Sequence, residues 1–420
     1  MLRTRRSRRL TALAAAAVLA LTLTACAPDD EPAVTLPQQV DAALPEATQT
    51  ELRAAVEHAM AATASSGAIV GVWAPWAGTW VTGLGTTAVD GAEVTPDMTF
   101  KAGSVTRAMT CDVLYALAAD GTVALGDPVT EWVSGVPDLG AVTLEQLCDG
   151  TSGLAGYGGR IFGRWIANPE RVWSPRELLA YGMSAGLAFE PGSAYLDSDT
   201  GYVLLGLALE RASGKRAAEL FQEYVFEPVG MAASSLPAGS PADASTLPGH
   251  RSGDANGAVD CATPPLDLTG LSASAGFTAD GVLTNVTDLG RYVQSLATGA
   301  RSYDVDARFE EPRAPGAEAP SWFTVDGGTY QAGSLVGQYG SFPGYLTAAF
   351  ADRQTGMAVV VVLNNSRGSA DAVRATAWQL AAIASKAPAA AGQAAPEAGL
   401  PWTAEGVLPD IDNATVCPAS

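Results

Sequence analysis

The chain has 420 residues, with 44 acidic side chains against 24 basic ones and a formal net charge of −20. That balance excludes nucleic acid and anionic membrane surfaces as electrostatic partners. Lysine occurs only at Lys101, Lys215 and Lys386, and histidine only at His58 and His250, so chemistry that needs either has few candidates.

The first ten residues carry Arg3, Arg5, Arg6, Arg8 and Arg9, and an Ala/Leu/Val run follows from Leu10 to Leu23. A spanning helix needs about 20 apolar residues, so this shorter run behind a basic start predicts a secretion signal over residues 1–25. It ends in Leu23-Thr24-Ala25-Cys26. Small residues before a cysteine resemble a lipobox, in which Cys26 becomes the lipidated first residue of the mature chain. The expected location is the extracytoplasmic face of the cell membrane, held there by the lipid alone. The arginine pairs leave general or twin-arginine export open.

Residues 26–49 are rich in Pro, Ala, Asp and Glu without an apolar period, the pattern of a flexible tether. A helix is expected over Thr50–Ala62. Strands follow over Ala68–Trp73 and Thr79–Leu84, joined by a Pro/Gly turn. A long helix starts near Ser104 and stops at Asp120-Gly121. The middle alternates helices with Gly/Pro loops. Tyr345–Phe350 and Met357–Leu363 read as a buried hairpin, a helix covers Ala370–Ser385, and an Ala/Pro-rich tail over 386–420 ends near Cys417. Strands at both ends around a helical middle predict an antiparallel sheet assembled from distant segments, with a helical lobe inserted.

With Cys26 assigned to lipid, four cysteines remain: Cys111, Cys148, Cys261 and Cys417. In an oxidising compartment an even number predicts two disulfides, and the sequence alone allows three pairings. No Cys/His cluster has metal-ligand spacing and no nucleotide loop is present, so no metal or cofactor is expected.

Thr99-Phe100-Lys101-Ala102-Gly103-Ser104-Val105-Thr106 resembles the nucleophile region of serine β-lactamases of class C, D-Ala-D-Ala carboxypeptidases and related esterases. Further matches follow in order: Val142 to Leu147, Thr151-Ser152-Gly153-Leu154, Pro191-Gly192, Gly201-Tyr202-Val203-Leu204-Leu205-Gly206, Glu227-Pro228-Val229-Gly230-Met231 and Pro343-Gly344-Tyr345. The resemblance covers residues 50–385. It implies a β-lactamase/transpeptidase-like fold, α/β plus a helical lobe. The α/β lobe would take residues 50–103 and 320–385, and the helical lobe 104–300. It also implies the pairing Cys111–Cys148 and Cys261–Cys417, because Cys148 replaces a family leucine in the segment packed near the Ser104 helix, and Cys417 ends a tail that nothing else holds.

The resemblance implies acyl transfer through Ser104, but all three motifs depart from the family pattern. In Ser-x-x-Lys the two residues share a helix face and the lysine takes the serine proton. Here the fourth position is Arg107, and a guanidinium does not act as a base near neutral pH. Lys101 precedes the helix and is expected to point elsewhere. Tyr-x-Asn is replaced by Asp197-Ser198-Asp199, which predicts charge compensation: Asp197, Asp199 or both pair with Arg107. The third motif, His-x-Gly or Lys-Thr-Gly, reads Gln338-Tyr339-Gly340. The oxyanion hole would use the backbone N–H groups of Ser104 and Ser341, which survive side-chain change. Gly150 stands in place of a family histidine, and neither His58 nor His250 falls in a motif. Ser104 itself is either a surviving nucleophile or a helix N-cap hydroxyl.

Three readings follow. The chain is a disabled family member that binds a peptidoglycan-derived peptide or an envelope protein through the former active-site cleft. Or it is an active serine hydrolase of carboxypeptidase or esterase type with a rebuilt base, such as Asp197 acting on Ser104. Or it is a structural envelope lipoprotein with a vestigial cleft. A cleft lined by aromatics and donors favours the first over the third.

Overall fold

The computed structural model describes residues 34–136, 139–240, 243, 245–253, 259, 261–396 and 399–417. The signal segment and Cys26 lie outside the described residues. Seven strands form one sheet in the order Gly78–Gly85, Gly67–Ala74, Ala358–Leu363, Tyr345–Asp352, Leu335–Phe342, Thr329–Ala332, Phe323–Asp326. Every neighbouring pair is antiparallel. The N-terminal hairpin docks directly onto the C-terminal one, with Val70 opposite Val361.

The continuous apolar run Ala358–Leu363 is buried along its whole length because both faces of the sheet are covered. Val359, Val361 and Leu363 pack with the helices Glu46–Thr63 and Ala370–Ala384. Val360 and Val362, pointing the other way, pack with Val286, Leu289 and Val293 of the Val286–Ala297 helix and with the helical middle of the chain. No helix among the described residues is long and apolar enough to cross a membrane.

The segment read as tether is shorter than expected. From Val34 onward the chain lies against the domain: Val34 N donates to Pro228 O, Leu44 N donates to Thr79 O, Leu44 is buried, and the first helix starts at Glu46. The apolar side chains there are spaced too irregularly to show a period, yet Leu44 is buried and Val34 packs in part against the core. The C-terminal tail is also packed. It forms a short helix, Leu408–Asp412, that buries Ile411, and Arg374 reaches Asp410 at 3.0 Å.

Both disulfides are formed with the expected partners. Cys111–Cys148 has Cα atoms 5.6 Å apart and Cys261–Cys417 has them 5.8 Å apart, inside the range a bridge requires. The first ties the Ser104 helix, Val105–Ala119, to the short Leu144–Cys148 helix. The second fastens the tail to the 261 loop.

Candidate active site

Ser104 stands at the N-terminus of the Val105–Ala119 helix, where the N–H dipoles favour developing negative charge. Its hydroxyl caps nothing, which removes the N-cap reading. Instead Oγ donates to Asp280 Oδ1 at 3.0 Å. On the other side lies the backbone of Gly340: a Cβ there would sit 2.1 Å from Ser104 Oγ, so the third-motif glycine is required by space. Ser104 is 4% exposed as a result. The strand segment carrying Gly340 and Ser341 is a free edge towards Ser104, because the pairing of Leu335–Phe342 with Thr329–Ala332 runs only from Leu335 to Gly337.

Arg107 takes the lysine position, one turn along the same buried helix face. Nη1 donates to Asp197 in a short contact, and Nη2 reaches Asp280 Oδ1 at 3.5 Å. Burial works against the guanidinium charge. Asp197 and Asp280 outweigh it and hold Arg107 protonated well above its ordinary range. Arg107 therefore fixes carboxylates and supplies no base.

The two motif aspartates divide. Asp197 pairs with Arg107 as expected and keeps 55% of its side chain exposed. Asp199 does not join that pair. Its carboxylate accepts the backbone N–H groups of Tyr157 at 2.6 Å and Gly158 at 2.9 Å, pinning the 157–158 turn. Burial raises the Asp199 pKa, against the opposing pull of Arg107 and those two N–H bonds. Gln338 also serves the backbone: Nε2 donates to Gly328 O at 3.0 Å and Oε1 accepts from Tyr339 N at 2.8 Å.

Asp280 is the residue that sequence reasoning missed. It ends the one-turn helix Phe277–Asp280, and two longer helices set its place. Thr110, on the Ser104 helix, donates to Thr278 O at 2.6 Å, while Thr278 donates to Tyr202 O on the Asp199–Ser213 helix at 2.8 Å. Phe277 holds φ at 42°, a left-handed value that a non-glycine side chain adopts only under constraint. Burial pushes the Asp280 pKa up to about 6, with Arg107 pulling the other way. The only signals were indirect. An arginine in the lysine position calls for compensating carboxylate, and Asp280 sits two residues after a threonine between two glycines, Gly276 and Gly281, with no motif to mark it.

Lys101 points away from Ser104. It is buried, donates from Nζ to Thr269 O at 3.2 Å, and lies over the rings of Phe342 and Tyr345. His58 pairs with Asp412 at 2.9 Å on the surface, and His250 Nε2 lies 2.8 Å from Thr87 O. Beside Ser104 a cavity of about 420 Å³ is lined by Arg107, Asp199, Arg251, Asp280 and Ser341. A larger cleft of about 770 Å³ begins at Asp197 and runs outward between Tyr330, Tyr339, Trp322 and Trp402.

A family model described as Beta-lactamase matches residues 52–383. The chain belongs to the β-lactamase family. Within it, Penicillin-binding protein 4* of Bacillus subtilis (strain 168) is 33% identical over 134 residues, covering 31% of this chain and 29% of that one. D-alanyl-D-alanine-carboxypeptidase/endopeptidase AmpH of Escherichia coli (strain K12) is 34% identical over 143 residues, covering 32% of this chain and 36% of that one. The matches thus span about a third of each of these relatives. Among solved structures, the octameric penicillin-binding protein homologue from Pyrococcus abyssi superposes with a TM-score of 0.68 at 22% identity, over 80% of this chain and 77% of that one. D-amino acid amidase from Ochrobactrum anthropi SV3 superposes with a TM-score of 0.67 at 20% identity, over 76% and 92%. These likenesses establish the β-lactamase/transpeptidase-like fold, with its sheet built from both ends of the chain.

Proposed function

We propose that the mature chain is an exported lipoprotein, anchored through Cys26, in which ligand binding has replaced acyl transfer at the β-lactamase-family site. One observation carries this reading: the group in the lysine position is Arg107, already committed to Asp197 and Asp280. A proton acceptor has become a clamp. Ser104 is closed in between Asp280 and Gly340, and the cavity beside it sets Arg107 and Arg251 against Asp199 and Asp280. Arg107 is spent on its two carboxylates and Gln338 brings no charge, so a substrate carboxylate finds no free cation at either motif position; Arg251, which donates to Ser366 O at 2.9 Å, lines the cavity instead. The aromatic cleft at Asp197 favours a binding role over a vestigial one. The names of its relatives point to a peptidoglycan-derived peptide as the ligand.

A second reading has one specific observation in its favour. Asp280 accepts the Ser104 hydroxyl at 3.0 Å and has a pKa of about 6, close to that of a histidine base, with Arg107 orienting it. In that reading Asp280, and not Asp197, is the rebuilt base, and the chain slowly hydrolyses uncharged or cationic esters or amides. Labelling with a fluorophosphonate probe, with Ser104→Ala as the blank, separates the two. The binding reading predicts equal labelling of both proteins. Labelling of the wild type alone, rising with pH through about 6, establishes the second.

A further inference from the structure

The cleft outside Asp197 has a composition that the altered motifs do not explain. Its floor and walls are aromatic: Trp402 stacks on Trp378 with ring centres 4.9 Å apart and lies 5.2 Å from Trp322, while Tyr330 and Tyr339 are 4.7 Å apart. Its charges are arranged in depth. Arg374 is recessed, with 14% of its side chain exposed, and its guanidinium lies over Trp378, Tyr339 and Phe323. Arg107, with 9% exposed, is recessed at the other end. The carboxylates they hold stand in front: Asp197 is 55% exposed, Asp371 60% and Asp410 47%, and Glu318 joins them at the rim. A ligand entering the cleft meets π faces and negative charge, with both cations behind.

We infer that this cleft is a binding subsite for a protonated amine carried on a short peptide. An organic cation gains from aromatic faces and from exposed carboxylates together, whereas an anion gains from neither. The volume of about 770 Å³ suits a side chain and a few residues of peptide. One wall comes from the C-terminal tail: Trp402 donates from Nε1 to Trp378 O at 2.9 Å, Asp410 holds Arg374, and the Cys261–Cys417 bond closes the segment. The tail therefore belongs to the site. This inference rests on the binding reading above and names the chemistry it selects.

The test uses the full mature chain carrying Ser104→Ala, so that no acylation enters. N-acetyl-lysinamide, its neutral ε-acetylated counterpart and N-acetylglutamate are titrated with calorimetry and tryptophan fluorescence as readouts. The expected result is saturable binding of the amine alone, weakened by added salt and about tenfold by Trp402→Ala. Asp410→Asn, a substitution at a half-exposed position, weakens it likewise with an unchanged melting temperature. Equal binding of the neutral or anionic probe in the cleft overturns the choice of cation and leaves the binding reading standing. So does retention of a peptidoglycan digest on the immobilised protein that neither variant alters, because the ligand then sits elsewhere. No retention of the digest and no binding of any probe overturns both.

Discussion

Ser104 donates its hydroxyl to Asp280 at 3.0 Å, and the same carboxylate oxygen faces Arg107 at 3.5 Å. Hydroxyl, carboxylate and guanidinium thus form one connected group. Three residues along from Ser104, Arg107 holds the carboxylates still and takes no proton.

Removing Arg107 exposes the structural side of that role. Arg107→Ala strands Asp280 in a buried site. Asp197, being half exposed, is partly rescued by water, so the cost falls below that of a fully buried pair. The expected loss is roughly 2–4 kcal/mol of folding stability. Urea unfolding of the two proteins measures it, and Arg107→Lys, which keeps a charge, loses less.

Rebuilding the chemistry requires the residues together. The triple change Arg107→Lys, Asp197→Tyr, Asp199→Asn restores a base, a proton carrier and an amide at the positions the family uses, and is expected to recover measurable acylation by labelled penicillin. Each single change is expected to recover none, because groups that act as a unit do not contribute additively. Asp199→Asn alone also weakens its two charge-assisted bonds to Tyr157 and Gly158. Gel fluorography of the four variants checks this.

Asp280 carries a pH signature. Its pKa of about 6 lies above the ordinary 3.8. Between those values the native state keeps a proton that the unfolded chain gives up. Its contribution to stability therefore falls as pH rises from about 4 to 6 and is level above, a change of about 2–3 kcal/mol in all. Asp280→Asn removes the titration, so the difference in stability between variant and wild type shifts in the variant's favour across that window. Equilibrium denaturation at pH 4, 5, 6 and 7 gives the difference directly.

The anchor is tested separately from the site. Cys26→Ser is expected to release the chain into the medium or leave it unprocessed, while the wild type sediments with membranes and partitions into detergent. Identical fractionation of the two would refute lipidation at Cys26.

Much of the fold was legible because its signals are local and periodic. The strands Gly67–Ala74 and Ala358–Leu363 and the helices Val105–Ala119 and Ala370–Ala384 fall within a residue or two of the apolar runs that predict them. Ser104, Arg107, Asp197 and Gly340 were legible through ordered motifs, and the structure brings them together. The side chains of Asp199 and Gln338 turn to the backbone instead, a choice set by which N–H and C=O groups lie nearest. Asp280 was not legible, because a one-turn helix held by Thr110 and Thr278 brings it to Ser104 across 176 residues of sequence. The aromatic cleft was equally hidden: its walls join residues from Tyr195 to Asp410, and no spacing rule connects the tail to the site.

We propose that this β-lactamase-family site binds without forming an acyl bond. Intact-protein mass spectrometry after prolonged incubation with benzylpenicillin at neutral pH tests it most directly. The expected result is the unmodified mass at every time point. A stoichiometric adduct of the whole penicillin, mapped to the peptide containing Ser104 and absent from Ser104→Ala, would contradict it.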